Sequence, residues 1–270
     1  MLSTPRATLV QLWSSKVGKG KLSDVSSESV TVTDPERAVK NEEGVMQRTP
    51  RNGLGVLHLF CKPRVGFDKE AFLAACKGFR EEGLILVTFG VLGHKADLGV
   101  MAVAGDFLRL RSLQSEIQRS GLEVVDSYVS ITEVSEYAAK VPEDQRRLRL
   151  YPKRLPPKGS SMICFYPMSK RRNADQNWYQ LPYEERERLM FDHGASGRKF
   201  AGRIVQLVTG SAGIDDWEWG VTLFAERPDD LKEVVYTMRY DEASALYGEF
   251  GKFYTGVLLE PEELAEQIVR

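Results

Sequence analysis

A chain of 270 residues with 42% hydrophobic and 28% charged residues holds enough apolar material for one large domain or two smaller ones, and wholesale disorder is excluded. Lys+Arg 37 against Asp+Glu 38 leaves a net charge of -1, so nothing points to nucleic acid, and an anionic ligand must be held by local cations. Three cysteines, Cys61, Cys76 and Cys164, without a CxxC argue against a disulfide framework or zinc site and for a reducing, cytoplasmic compartment, and no apolar run is long enough for a transmembrane helix.

Residues 1–52 are rich in Ser, Thr, Lys and Glu with little apolar periodicity, so they are expected to form a mobile extension. Arg6, Lys16, Lys19 and Lys21 without an acid over residues 1–22 fit a frayed tail better than an organellar transit peptide. From Gly53 the pattern becomes that of a packed domain. Residues 54–61 predict a strand, and 68–81 a helix with Phe72, Ala75, Cys76 and Phe79 on one face, stopped by Gly83. Strands follow at 85–92 and 99–104, then a helix through Leu108, Leu110, Leu113 and Ile117, then a strand at 122–131. Residues 53–132 thus read βαββαβ.

Residues 133–160, with Pro142, Pro152, Pro156, Pro157 and Gly159, are expected to be a linker. The pattern then restarts over 161–260: strand 162–168, helix 183–199, strands 203–209 and 217–224, helix 231–238 and strand 253–259. Residues 261–270 are left as a C-terminal tail. Two such units predict an α+β protein of tandem ferredoxin-like βαββαβ repeats, packed sheet on sheet as a dimeric α+β barrel-type subunit. The space between a sheet and its helices is a natural place for a flat ligand.

Several residues of the second repeat are out of keeping with simple packing. Alternation on its first strand sets Cys164, Tyr166, Met168 and Lys170 on one face and Ile163, Phe165 and Pro167 on the other. Tyr166 as a core aromatic and Lys170 as a solvated strand end is the plain interpretation, but a proline inside a strand marks an edge or a locally opened sheet. His193 ends an apolar helical stretch beside Gly194 and Gly197; alone it does not make a zinc site, whereas haem iron needs one protein nitrogen only. Gln206 interrupts the apolar strand RIVQLVTG and needs either a hydrogen-bond partner or a ligand cavity. Trp217, Trp219, Val221 and Leu223 fall on one face as core packing, while Arg239 and Ser244 read as a surface cation and a capping serine.

Taken together, FYPMSKRR (165–172), NWY (177–179), HGASGRKFAG (193–202), VTGSAGIDDWEWGVTLF (208–224) and MRYDEASALYGEFGKF (238–253) resemble the coproheme decarboxylase branch of the chlorite dismutase superfamily. LHLF and SYVSITEVSEY carry a looser match in the first repeat. The resemblance implies a homopentamer whose subunits bind coproheme (Fe-coproporphyrin III) in the second repeat, with His193 as proximal iron ligand and Gln206 in the distal position. It further implies Tyr166 as the reactive tyrosine with Lys170 beside it, porphyrin contacts from Pro167, Met168 and Ser169, and propionate contacts from Tyr128, Arg149, Arg239 and Ser244. Arg147 and Arg154 are alternatives to Arg149. The implied activity is hydrogen peroxide-dependent oxidation of two propionates to vinyl groups, through a three-propionate intermediate, giving haem b. The upstream ferrochelatase is the implied transient partner. Gln206 stands where chlorite dismutases proper carry an arginine, which speaks against that activity. A haem-binding sensor or carrier without turnover is the competing class.

Overall fold

The computed structural model describes residues 48–139 and 141–268, so the expected extension at 1–52 lies, but for its last residues, outside the described residues. The first repeat consists of β1 (Gly55–Pro63), α1 (Lys69–Glu81), β2 (Ile85–Val91), β3 (Leu98–Ala104), α2 (Phe107–Arg119) and β4 (Leu122–Thr132). Its helices start where the sequence supplies an acceptor: Asp68 takes the Ala71 N–H and Asp106 the Leu108 N–H, each meeting a donor that the first helical turn leaves unpaired. The second repeat is β5 (Met162–Lys170), a 3-10 turn at Trp178–Gln180, α4 (Tyr183–Arg198), β6 (Ile204–Gly210), β7 (Trp219–Ala225), α5 (Pro228–Met238), α6 (Glu242–Ala245), β8 (Gly248–Phe250) and β9 (Tyr254–Leu258).

The strands make one antiparallel sheet in the order β7-β6-β4-β1-β3-β2-β9-β5-β8, and β7 also pairs with β5, so the sheet closes on itself. Within each repeat the order is ferredoxin-like, β4-β1-β3-β2 and β6-β7-β5-β9. Two seams join the halves: Ile131↔Gly210 and Thr132↔Thr209 on one side, and Phe89↔Leu258 through Val91↔Gly256 on the other. At the second seam a Cβ on Gly256 would run into the Gly90 carbonyl oxygen, so the close strand approach there requires glycine.

Alternation along the strands divides the apolar residues between three cores. Inside the closed sheet, Val56, Phe60, Phe89 and Met101 of the first repeat meet Ile163, Phe165, Phe224 and Tyr254 of the second. Outside the first repeat, Leu57, Leu59 and Leu113 pack beneath α1 and α2 with Phe72 and Phe79. Outside the second repeat, Met162, Cys164, Tyr166, Val221 and Leu223 pack with Leu231 and Val234 of α5. The two faces of β5 are therefore as its alternation predicts.

Three segments differ from expectation. The linker contains a helix, α3 (Glu143–Leu150), whose end is fixed by a 2.7 Å bond from the Thr132 hydroxyl to the Leu150 carbonyl. The tail at 261–270 includes α7 (Pro261–Ile268), which buries Leu264, Ala265 and Ile268 against the first repeat. Trp217 precedes β7 and packs against the interior cluster, so it does not share the face of Val221 and Leu223, whereas Trp219 keeps their parity on β7 and donates its Nε1–H to Glu133 at 2.8 Å. Among the described residues, no helix is long and apolar enough to cross a membrane.

Candidate functional site

β5 carries the densest set of unusual side chains, and its pairing explains how Pro167 is accommodated. On one flank β5 pairs with β7 from Met162 to Met168; on the other it pairs with β9 only as far as Phe165↔Tyr254 and with β8 only from Met168↔Phe250. Pro167 sits in the gap between those two partners, where its missing N–H breaks no ladder, and its carbonyl accepts from Gly251 at 2.8 Å. The locally opened sheet expected from this proline is present.

Tyr166, next to that gap, lies on the outer face. It is buried, stacked on Phe253 with ring centroids 4.4 Å apart and tilted against Phe250 at 5.9 Å. Burial, reinforced by the nearby Cys164 and opposed by Arg239, pushes its phenol well above the usual range, which favours the protonated form. Arg239 itself is exposed, with its guanidinium 4.2 Å from the Phe250 ring.

Lys170 lies on the same face and is buried. Its ammonium donates to the Ala243 carbonyl at 2.8 Å and stands 4.4 Å over the ring of Trp178. Burial brings its pKa down to about 8 against the opposing pull of Asp241 and Glu218. Between these two residues, Met168 is half-buried in the outer core and the Ser169 hydroxyl accepts from the Glu218 N–H at 3.2 Å.

His193 is on α4. Its Nδ1 is 3.1 Å from Oδ1 of Asp241, whose side chain is 5% exposed, and 3.4 Å from the Ser244 hydroxyl. Burial opposes ionisation of Asp241, but hydrogen bonds from His193 and Ser244 outweigh it and hold the carboxyl below its ordinary range. With the carboxylate accepting, Nδ1 carries the proton and Nε2 is left as the nitrogen with a lone pair, the tautomer that a metal-ligating histidine needs. Asp241 also caps α6 through the Ser244 N–H at 3.2 Å, and Lys170 reaches the same short helix. α6 thus brings the histidine of α4 and the lysine of β5 to one place.

α4 is held away from the sheet. Leu189 is the only buried residue among its 16, and the helix packs chiefly on α5 and α6, whereas α5 packs on β6 and β7. On the outer face of β6, Gln206 is exposed and Val208 is 37% exposed. The outer face of β6 thus presents an accessible amide and an accessible valine on the face of the sheet that α5 covers, and α4, which carries His193, packs on α5. Gln206 is therefore not the buried amide its apolar neighbours suggest.

Two further anticipated contacts lie outside this cluster of side chains. The Tyr128 ring lies inside the closed sheet, 5.2 Å from Phe165, with its hydroxyl bonded to Ser211 and to the Trp217 carbonyl, because β4 presents that position inward. Arg149 is exposed on α3, whereas Arg146 in the same helix has a buried Nε without a partner among the described residues. Asp241 and Arg146 were not singled out by sequence. An acid beginning a short helix and one arginine in an arginine-rich helix look ordinary until the fold shows what surrounds them.

The chlorite dismutase family model matches residues 67–259, which takes in most of both repeats. The chain belongs to the chlorite dismutase family. A coproheme decarboxylase of Staphylococcus carnosus (strain TM300) is 47% identical over 194 residues, covering 67% of this chain and 76% of that protein. A haem-binding protein of Thermus thermophilus superposes with a TM-score of 0.72 at 36% identity, covering 80% of this chain and 95% of its own. A chlorite dismutase of Candidatus Nitrospira defluvii shares the fold, with a TM-score of 0.65 at 17% identity over 81% of this chain and 96% of its own.

Proposed function

We propose that this family member is a coproheme decarboxylase, which converts two propionates of Fe-coproporphyrin III to vinyl groups with hydrogen peroxide and releases haem b. The observation that carries this reading is the His193–Asp241 pair, a histidine whose Nδ1 is held by a carboxylate so that Nε2 is free to bind iron; the exposed amide of Gln206 and the buried Tyr166 on β5 support it. The 47% identical coproheme decarboxylase supports the choice of substrate.

The residues fit an iron porphyrin. His193 would hold the iron through Nε2, with Asp241 fixing the tautomer. Gln206 would be the residue on the other side of a bound ring, where, as a neutral amide, it could donate a hydrogen bond but accept no proton. Each decarboxylation takes one propionate, one hydrogen peroxide and one proton to a vinyl group, carbon dioxide and two waters. Iron porphyrin supplies the oxidising power once peroxide is present.

Tyr166 passes that power to the substrate, giving up its phenolic hydrogen and then taking one from the propionate β-carbon. Its burial keeps water from competing. Lys170 positions the carboxylate: an ammonium has three donors and Ala243 uses one. Arg239, set against Phe250 beside Tyr166, and Ser244, beside His193, are the further polar residues assigned to the propionates. Arg146 is a better candidate than Arg149 for a further propionate anchor, since a buried guanidinium nitrogen calls for an acceptor. A homopentamer, a cytoplasmic location and delivery of substrate by a ferrochelatase complete the proposal.

The decisive experiment is mass spectrometry of bound porphyrin during peroxide titration. Two successive losses are expected in the unaltered protein. Tyr166→Phe keeps the packing on Phe253 and should bind coproheme while leaving all four propionates in place; normal product from that variant would overturn the role of Tyr166. A porphyrin mass that stays fixed in the unaltered protein would reduce the chain to a binding module.

A further inference from the structure

Behind Tyr166, across the sheet, lies a second tyrosine that the proposed reaction does not use. Tyr254 is buried on β9 in register with Phe165, the neighbour of Tyr166, and its own neighbour Phe253 is the ring on which Tyr166 stacks at 4.4 Å. The Tyr254 ring stacks on Phe60 at 3.6 Å. Its hydroxyl donates to Oδ2 of Asp126 at 2.6 Å, and Lys252 donates to the same oxygen at 3.1 Å. Burial works against ionisation of Asp126, but the bonds from Tyr254, Lys252 and the Ser127 N–H prevail and keep the carboxyl below its usual range.

The two phenols differ in one respect that governs oxidation. A phenol bonded to an ionised carboxylate can lose its electron and pass its proton to that base in one movement, so it is oxidised more easily than a phenol without such a base. Tyr166 shows no carboxylate partner among the described residues, and its surroundings are aromatic. Tyr254 has its base in place, and the Asp126 side chain is 32% exposed, so the proton can go on to solvent.

We infer that Tyr254, with Asp126 as its proton acceptor, is a second redox-active tyrosine that drains the oxidising equivalent from Tyr166 when no propionate is in position. The inference rests on the radical role of Tyr166 given above. The electron moves from Tyr254 to the Tyr166 phenoxyl through the Phe253 contact and the β5–β9 ladder. Tyr254 hands its proton to Asp126, Tyr166, 8% exposed when no propionate covers it, takes one from the water that then reaches its edge, and Asp126 returns one to solvent. The net change is a reduced Tyr166 and a phenoxyl at Tyr254, the oxidant throughout being hydrogen peroxide. While a propionate β-carbon touches Tyr166, hydrogen abstraction competes successfully; between the two decarboxylations it cannot, and the hole leaves.

The test uses the coproheme-loaded protein mixed with excess peroxide, followed by freeze-quench electron paramagnetic resonance and by peptide mapping of oxidised tyrosines. Tyr254→Phe keeps the stack on Phe60 and should retain both decarboxylations at stoichiometric peroxide. In excess peroxide it should lose the late tyrosyl signal, lose oxidation at residue 254 and inactivate several-fold faster. Asp126→Asn should weaken the late signal in the same direction. A late signal and an inactivation rate unchanged in Tyr254→Phe would overturn the inference while leaving the decarboxylase reading intact. Absence of any vinyl product from the unaltered protein would instead remove the reading on which it rests.

Discussion

Lys170 is a cation kept in a place that disfavours cations. Burial brings its pKa down to about 8, and a substrate carboxylate alongside would raise it again. The ammonium form prevails below that value and is lost as pH rises through it, so coproheme affinity should fall as pH rises past about 8. The charge-assisted bond contributes about 1.5 to 3 kcal/mol, so Lys170→Met should bind coproheme roughly ten- to a hundredfold more weakly at neutral pH and show no such fall. A spectroscopic titration of coproheme across that range checks both expectations, and a parallel decline in the variant would assign the titration to another group. Asp241 is the opposite case, a carboxyl whose ionised form is the favoured one because His193 and Ser244 both point at it. Its contribution is present above the ordinary carboxylate pKa and lost as pH falls through the lowered folded value.

α6 has four residues and no stability of its own, yet it joins three parts of the site. Asp241 caps it and binds His193, Ala243 takes the Lys170 ammonium, and Glu242 meets Arg188 of α4 at 3.1 Å. These ties are unequal. The Arg188 pair is solvent-exposed, so Arg188→Ala should cost under about 1 kcal/mol. Asp241→Ala removes a cap and leaves the His193 N–H only the more distant, neutral Ser244 hydroxyl as acceptor, a loss of about 1 to 2 kcal/mol, and it alone should lower the iron–histidine stretching frequency in the ferrous complex. Thermal melting of the two variants, with resonance Raman spectra, separates them. α7 carries a larger share of the stability: Leu264 is fully buried beneath it, and Leu264→Ala should cost about 2 to 5 kcal/mol by denaturant titration, against almost nothing if the segment were a loose tail.

At the scale of the molecule, the closed sheet makes the two repeats one structural unit. The interior core takes Phe60 and Met101 from one and Phe165 and Phe224 from the other, so neither half can keep its buried face alone. His58 lies in that interior, stacked on Phe165 at 4.2 Å, with Nε2 3.0 Å from the Thr222 hydroxyl and Nδ1 without a partner among the described residues. Burial drops its pKa to about 3 from the ordinary 6.5, so the unfolded chain binds a proton that the folded protein refuses. Stability should therefore be whole above the unfolded value and decline as pH falls between the two, by up to about 1.4 kcal/mol per pH unit from this residue. His58→Gln, which keeps a polar group for Thr222, should flatten that part of the pH profile of the unfolding midpoint; an unaltered slope would show that other groups set it.

Local periodicity determined much of this protein. The helix and strand alternation of both repeats, the two faces of β5 and the significance of Pro167 were legible because side-chain direction follows from spacing along a strand or helix. The motif strings that resemble coproheme decarboxylases marked Tyr166, Lys170, His193 and Gln206 as one set. What spacing could not supply was proximity between segments far apart in the chain. Only the tertiary structure put Asp241 against His193, turned Tyr128 inward, left Arg149 in solvent and docked α7 on the first repeat. Those outcomes depend on which faces the closing sheet and the standing-off helix α4 bring together, and that is a property of the packed chain rather than of any stretch within it.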